Sequence, residues 1–274
     1  MKLIDVFCFN GEPILELRLE YLQDVVDEFV LVESKYTFSG KVKDTFYCDD
    51  LVQHPKVTVL RLDYAPPVAD EEWCRERSGS SSFMEEGCMD HWFREQHQRD
   101  YPKSYIVNKY ADEDYIVVCS DVDEIPRKEL LVSLKQHGNG QLHTPIYLHM
   151  AMLMYNMGWQ TDEQWLRAFV INKEGFCNAA SVDEMRRAEP YRVAPNGGWH
   201  CSYFLNSRDL ARKIQAFSHQ EYNKPEYTDT AHCQRCLLSG KDVLGRGELK
   251  AYTGQVPELF IKFNEKMLFL QKFS

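Results

Sequence analysis

Four apolar runs in the first half of the chain are continuous rather than alternating: Lys2–Phe9 (KLIDVFCF), Glu28–Glu33 (EFVLVE), Lys56–Leu62 (KVTVLRL) and Tyr115–Cys119 (YIVVC). Strands covered on both faces, as in a parallel sheet, read this way. After the first run, Asn10-Gly11 turns the chain, and Leu15, Leu19, Leu22 and Val26 recur at helical spacing. Glu12 and Pro13 suit the first turn of that helix. The resulting order, strand-helix-strand and then strand, predicts an α/β fold that begins as a doubly wound sheet.

The pattern then breaks. Val68–Gly87 is charged and Ser-rich, with SGSSS at Ser78–Ser82, and predicts a mobile loop. Met84–Asp100 has helical character, with Arg94 and Arg99 among its polar positions. Ile125-Pro126 reads as the opening of a helix over Arg127–His137. Further on, Leu142–Tyr155 predicts a long or bent strand and Trp165–Asn172 another. Ser181–Arg187 has an N-cap serine, acids in its first turn and arginines at its end, which predicts a short helix. Arg208–Phe217, Thr230–Leu238 and Pro257–Phe273 are further helices, the last amphipathic. No repeat or low-complexity linker divides the 274 residues, so the expectation is a single domain.

Composition narrows the choice of partner. With 32 basic and 42 acidic residues the formal charge is −10, which disfavours a nucleic-acid duplex but leaves room for a nucleotide held by a local basic cluster. No apolar run approaches the length of a membrane span, and no signal peptide precedes the first strand. The nine cysteines are odd in number and scattered. They predict reduced thiols and a cytoplasmic setting. Cys233 and Cys236 form a C-x-x-C without a second pair, which favours a helix face over a zinc site.

The run YIVVC leads into Ser120, and Asp121, Asp123 and Glu124 follow at once. Ligand sites of open α/β sheets lie beyond the carboxyl ends of such strands. Asp-x-Asp there offers two hard oxygen donors on one turn, suited to Mg²⁺ or Mn²⁺ shared with substrate phosphates. Acids at a helix N-terminus would look alike. The position after a buried strand favours the site.

Four ordered segments carry a resemblance: DVFCFNGEPILELRLEYL (Asp5–Leu22), VDEFVLVESKYTFSGKVK (Val26–Lys43), SDVDEIPR (Ser120–Arg127) and GGWHCSYF (Gly197–Phe204). Through them the chain resembles the glycosyltransferase family of β-1,4-mannosyl-glycoprotein 4-β-N-acetylglucosaminyltransferase, the bisecting N-acetylglucosaminyltransferase. The resemblance implies a GT-A type fold, a Rossmann-like mixed central sheet flanked by helices. It also implies a UDP-sugar donor, UDP-N-acetylglucosamine in the known enzyme, and transfer with inversion to a glycan or glycoconjugate hydroxyl. The animal enzyme carries a membrane anchor and stem that this sequence does not show. The expectation is therefore a soluble microbial or viral relative with an acceptor of its own. Residues 1–126 form the expected nucleotide-sugar half and 127–274 the acceptor half.

On that basis Asp121 and Asp123 are the expected metal ligands, with Asp121 also facing the donor. His200 is the further ligand and His219 its competitor. Asp183 and Glu184 are the expected general base, with Asp162 and Glu163 as the other pair. Asn10, Gly11, Glu33 and Ser34 would line the nucleotide crevice at the ends of the first two strands. Thr37, Lys41 and Lys43 follow in a loop able to approach the donor. Arg94 and Arg99 would face the diphosphate. Of Trp159, Trp165, Trp199 and Tyr203, one or two would stack on sugar and the rest belong to the core. The rival readings are a metal-dependent phosphohydrolase and a catalytically silent sugar-nucleotide or glycan-binding protein.

Overall fold

The computed structural model describes residues 1–51, 53–70, 72–74, 88–137 and 142–272. Most of the expected loop at 68–87, and the first residues of the helix expected from Met84, lie outside them. The continuous apolar runs form a parallel set: β1 (Lys2–Cys8), β2 (Glu28–Ser34), β3 (Val57–Leu62) and β4 (Tyr115–Cys119). Every residue of β2 and β4 is buried. That is why these segments lack alternation.

β1 pairs with β2 on one side and with β4 on the other, so the strand order runs β3-β2-β1-β4. The chain therefore leaves β1 in one direction and returns to its other side. This reversal opens a crevice beyond the carboxyl ends of β1 and β4.

The remaining connections use helices α1 (Ile14–Leu22), α2 (Cys88–Asp100) and α3 (Pro102–Lys109). After β4 the expected helix start at Ile125-Pro126 is instead a short strand, β5 (Glu124–Pro126), and the helix α4 begins only at Lys128–His137. Proline tolerates an edge-strand end as well as a first helical turn, and three residues show no periodicity.

The second half adds antiparallel pairs. β6 (Ile146–Met154) takes the centre of the expected Leu142–Tyr155 run. The single strand expected at Trp165–Asn172 is two, β7 (Trp159–Trp165) and β8 (Phe169–Asn172), and β8 pairs antiparallel with β4. Next come α5 (Lys173–Asn178) and α6 (Val182–Arg187), then the long strand β9 (Val193–Ser202). β9 runs parallel to β6 and antiparallel to β5. The helices α7 (Ser207–Ala216), α8 (Pro225–Thr228) and α9 (Thr230–Ser239) follow. The two-residue strand β10 (Lys250–Ala251) and helix α10 (Glu258–Lys272) close the chain. Among the described residues the result is one mixed ten-stranded sheet flanked by helices. Cys233 and Cys236 are buried on α9, facing the core. Among the described residues no helix is long and apolar enough to cross a membrane.

Candidate functional site

A cavity of about 770 Å³ occupies the crevice, lined from β1, β2, the turn after β4, α2, β6, β7, α6, β9 and α7. Its floor is the turn Ser120–Asp123. Arg18 holds that turn from below. Its guanidinium is fully buried and pairs with Asp5, at 2.8 and 2.6 Å. It also donates to the carbonyls of Asp121, Val122 and Glu124 and to the Ser120 hydroxyl. Five oxygen-bearing groups thus converge on one rigid fork. A lone Asp in an apolar strand and a lone Arg among leucines were the sequence signals for this pair, and the sequence reading did not use them.

The two aspartates of the turn diverge. The Asp121 carboxylate accepts from Arg99 at 3.0 and 3.1 Å and from Arg186 at 2.8 Å. Burial would raise its pKa, but Arg186 and Arg99 more than offset this and hold it below the ordinary value. Asp123 accepts from the Lys213 ammonium at 2.8 Å, and its other oxygen lies 3.5 Å from His200 Nε2. Burial opposes its ionisation as well. Lys213 and His200 nevertheless keep it far below the usual carboxylate range. Glu124 is fully buried and belongs to the frame: Arg186 grips it at 2.7 and 2.8 Å, and Trp165 Nε1 donates to it at 2.5 Å.

His200 reaches Asp123 because β5 pairs with β9 in a register that sets Glu124 opposite His200. The Trp165 ring lies 4.3 Å from the imidazole. The 3.5 Å separation from Asp123 is longer than a good hydrogen bond. The other ring nitrogen, Nδ1, is buried without a partner among the described residues. The protein therefore leaves the polar capacity of this imidazole unfilled. His219 is not in this group; its Nδ1 lies 2.7 Å from Glu221. Among the described residues no three His, Cys, Asp or Glu side chains converge to hold a metal. Asp123 and His200 are a two-donor set, and Asp121 stands apart from it on its arginines.

Several expected site residues sit elsewhere. Asp183 is buried on the first turn of α6 and paired with Arg99 at 2.8 Å and Arg187 at 2.6 Å. Each oxygen of this carboxylate is held by a guanidinium, and Asp183 does not line the cavity. Glu184 is exposed beside a separate surface depression with His143 and Ala188. Asp162 is on the exposed part of β7 paired with Lys250, whereas Glu163 does line the cavity.

Glu33 is fully buried and accepts from Lys43 at 2.5 Å and from the Tyr47 and Cys48 amides, which ties the 43–48 loop to β2. Gly11 has φ +88°, and a Cβ there would meet the Tyr47 ring at 3.0 Å, so it serves the turn. Arg94 donates to the Phe38 carbonyl at 3.1 Å and fixes the loop after β2. Asn10, Ser34, Thr37, Lys43 and Arg99 do line the cavity, as do Trp165 and Tyr203. Trp199 is core, fully buried with its Nε1 on Tyr252. The cations missed by sequence reasoning are Lys213 and Arg186. Both reach the floor from helices whose charges looked like ordinary solvent-facing and C-terminal ones.

The sequence matches the model of glycosyltransferase family 17 over residues 1–253. Among curated proteins it is similar to the beta-1,4-mannosyl-glycoprotein 4-beta-N-acetylglucosaminyltransferase of Homo sapiens. Identity is 25% over 247 residues, covering 78% of this chain and 42% of the relative. The proteins of the same name from Rattus norvegicus and Mus musculus match with the same coverage, at 25% and 24% identity. The chain thus spans less than half the length of these relatives. The family match, in contrast, runs from β1 through β10 and takes in every element that lines the cavity. The chain belongs to glycosyltransferase family 17.

Proposed function

We propose that this glycosyltransferase has a GT-A type architecture and moves N-acetylglucosamine from UDP-N-acetylglucosamine to a glycan hydroxyl by a single inverting displacement. The observation that carries the reading is the pairing of β5 with β9, which sets Asp123 and His200 3.5 Å apart at the switch point of the sheet.

Asp123 Oδ1 and His200 Nε2, 3.5 Å apart, fit a divalent cation that takes its remaining ligands from diphosphate and water. Mg²⁺ or Mn²⁺ held by Asp123 and His200 would supply Lewis-acid charge to the departing diphosphate. The chain's own groups do the rest. Lys213 and Arg186 bring positive charge to the cavity floor, where the leaving group gains negative charge. Arg99 and Arg186 hold Asp121 ionised and oriented, so it can accept hydrogen bonds from donor hydroxyls. Trp165 offers an apolar face beside His200 for a pyranose ring.

The test is calorimetric titration of UDP into the wild type and Asp123→Ala, each with Mn²⁺ and with chelator. Mn²⁺ is expected to tighten UDP binding by at least about tenfold, about 1.4 kcal/mol, and the substitution to remove that gain. UDP binding equally tight in chelator, and unchanged in Asp123→Ala, overturns the cation assignment. No UDP binding under any condition overturns the donor.

A further inference from the structure

We infer that His219, oriented by Glu221, is the general base that takes the proton from the attacking hydroxyl. The inference rests on the single-displacement reading above, which requires such a base. Asp183 and Glu184 do not face the cavity, so the base must be sought among the groups that line it. Most of the carboxylates there are committed. Glu95 and Asp121 hold Arg99, Asp123 holds Lys213, and Glu12 accepts the Asn10 amide. Glu163 and Glu189 also line the cavity, and among the described residues neither carboxylate is oriented by a hydrogen bond or ion pair.

The pair His219–Glu221 has the construction that proton abstraction needs. His219 Nδ1 and Glu221 Oε1 are 2.7 Å apart. With Glu221 ionised and the ring neutral, Nδ1 donates to Glu221 and Nε2 keeps its lone pair. The ring is held from the side by Trp92 of α2, with centroids 4.6 Å apart at 83°, and by Phe217 at 5.7 Å. Both members of the pair line the cavity. They follow directly on α7, whose Lys213 grips Asp123, and the intervening Ser218 faces Glu95, the partner of Arg99. The base and the donor floor are thus built from one connected set of contacts. The side chain of His219 is about half exposed, as suits a group that must meet an incoming acceptor.

In the step, the acceptor oxygen forms a bond to the donor sugar C1 as the bond from C1 to the diphosphate oxygen breaks. The electron pair of that bond leaves with the nucleoside diphosphate. The hydroxyl proton passes to His219 Nε2 and then to solvent. Glu221 stabilises the imidazolium that forms and is a positioning residue.

The test follows UDP released from UDP-N-acetylglucosamine with water as the acceptor, so that no glycan need be known. His219→Ala is expected to lower kcat by about 10²- to 10⁴-fold, with UDP affinity in Mn²⁺ unchanged. Added imidazole should restore part of the rate in His219→Ala and none in Glu221→Gln. Glu221→Gln should lose less than His219→Ala. A His219→Ala enzyme within about threefold of wild type overturns the inference. So does a loss that imidazole leaves untouched and that tracks weakened UDP binding. Absence of UDP release from the wild type sinks the donor reading and the base with it, and is told apart by that control.

Discussion

Arg18 sits on α1 among Leu15, Leu17, Leu19 and Leu22 and is as buried as they are. An arginine there is tolerable because every donor it presents is used, by Asp5 and by the turn that carries Asp121 and Asp123. Removing one partner of such a pair leaves a buried charge alone, at a cost of about 3–5 kcal/mol. Arg18→Met is therefore expected to destabilise by that order in chemical denaturation. The double variant Asp5→Leu/Arg18→Met should recover most of the stability, because an apolar pair of similar volume can replace a buried ion pair. It should not recover UDP release, since the carbonyls of the turn would still lack their donor. Full activity in the double variant would show that the turn holds its shape without Arg18.

At the scale of elements, the informative contact is β5 on β9. Gly198 lies in β9 opposite Pro126, with φ +156°, and a Cβ there would stand 2.2 Å from the Ile125 carbonyl oxygen. Only glycine allows this approach without displacing the strand. Gly198→Ala is expected to cost about 2 kcal/mol or more, read as a lower Tm. It should also shift His200 away from Asp123, so that Mn²⁺-dependent UDP binding falls in the protein that remains folded. A variant with wild-type Tm and UDP affinity would refute this role for the pairing. β1, β2 and β4 were legible in the sequence because burial on both faces leaves continuous apolar runs, and β3, a half-buried edge strand, because its valines, threonine and leucines favour a strand. β5 was not, because three residues ending in proline satisfy a helix start and an edge strand equally. The split of Trp165–Asn172 into parts of β7 and β8 was hidden for a related reason: aromatic residues suit either strand, and the break falls at Leu166–Ala168 without a glycine or proline.

At the scale of the molecule, the cavity draws on both halves of the chain. Asn10, Ser34, Arg99 and Asp121 come from the first, and Trp165, His200, Lys213 and His219 from the second. The terminal helix α10 lies beyond the family match yet packs into the main core. Phe260, Phe263 and Met267 are buried, and the Phe260 ring is 4.7 Å from Trp199 and 5.1 Å from Tyr21. Leu270, by contrast, is 39% exposed. Gln271 donates to the carbonyls of Tyr155 and Leu205 at 2.6 and 3.2 Å. A chain ending at Pro257 should therefore unfold at a Tm lower by 10 °C or more on a scale of about 2–4 °C per kcal/mol, or fail to fold. An unchanged melting curve would mean that α10 is an addition the core does not need.

By itself the sequence determined the parallel strands, the turn of acids at the end of β4 and the family, because each is written in contiguous residues. Only the tertiary structure decided which charges meet. It committed Asp183 and Glu33 to cations, brought Lys213, Arg186 and His200 to the cavity floor, and placed His219 against Glu221 on the cavity wall. Apart from the His219–Glu221 pair, whose members stand two positions apart, such roles depend on distances between residues far apart in the chain. Spacing along a sequence carries no record of which carboxylate a buried guanidinium has already taken.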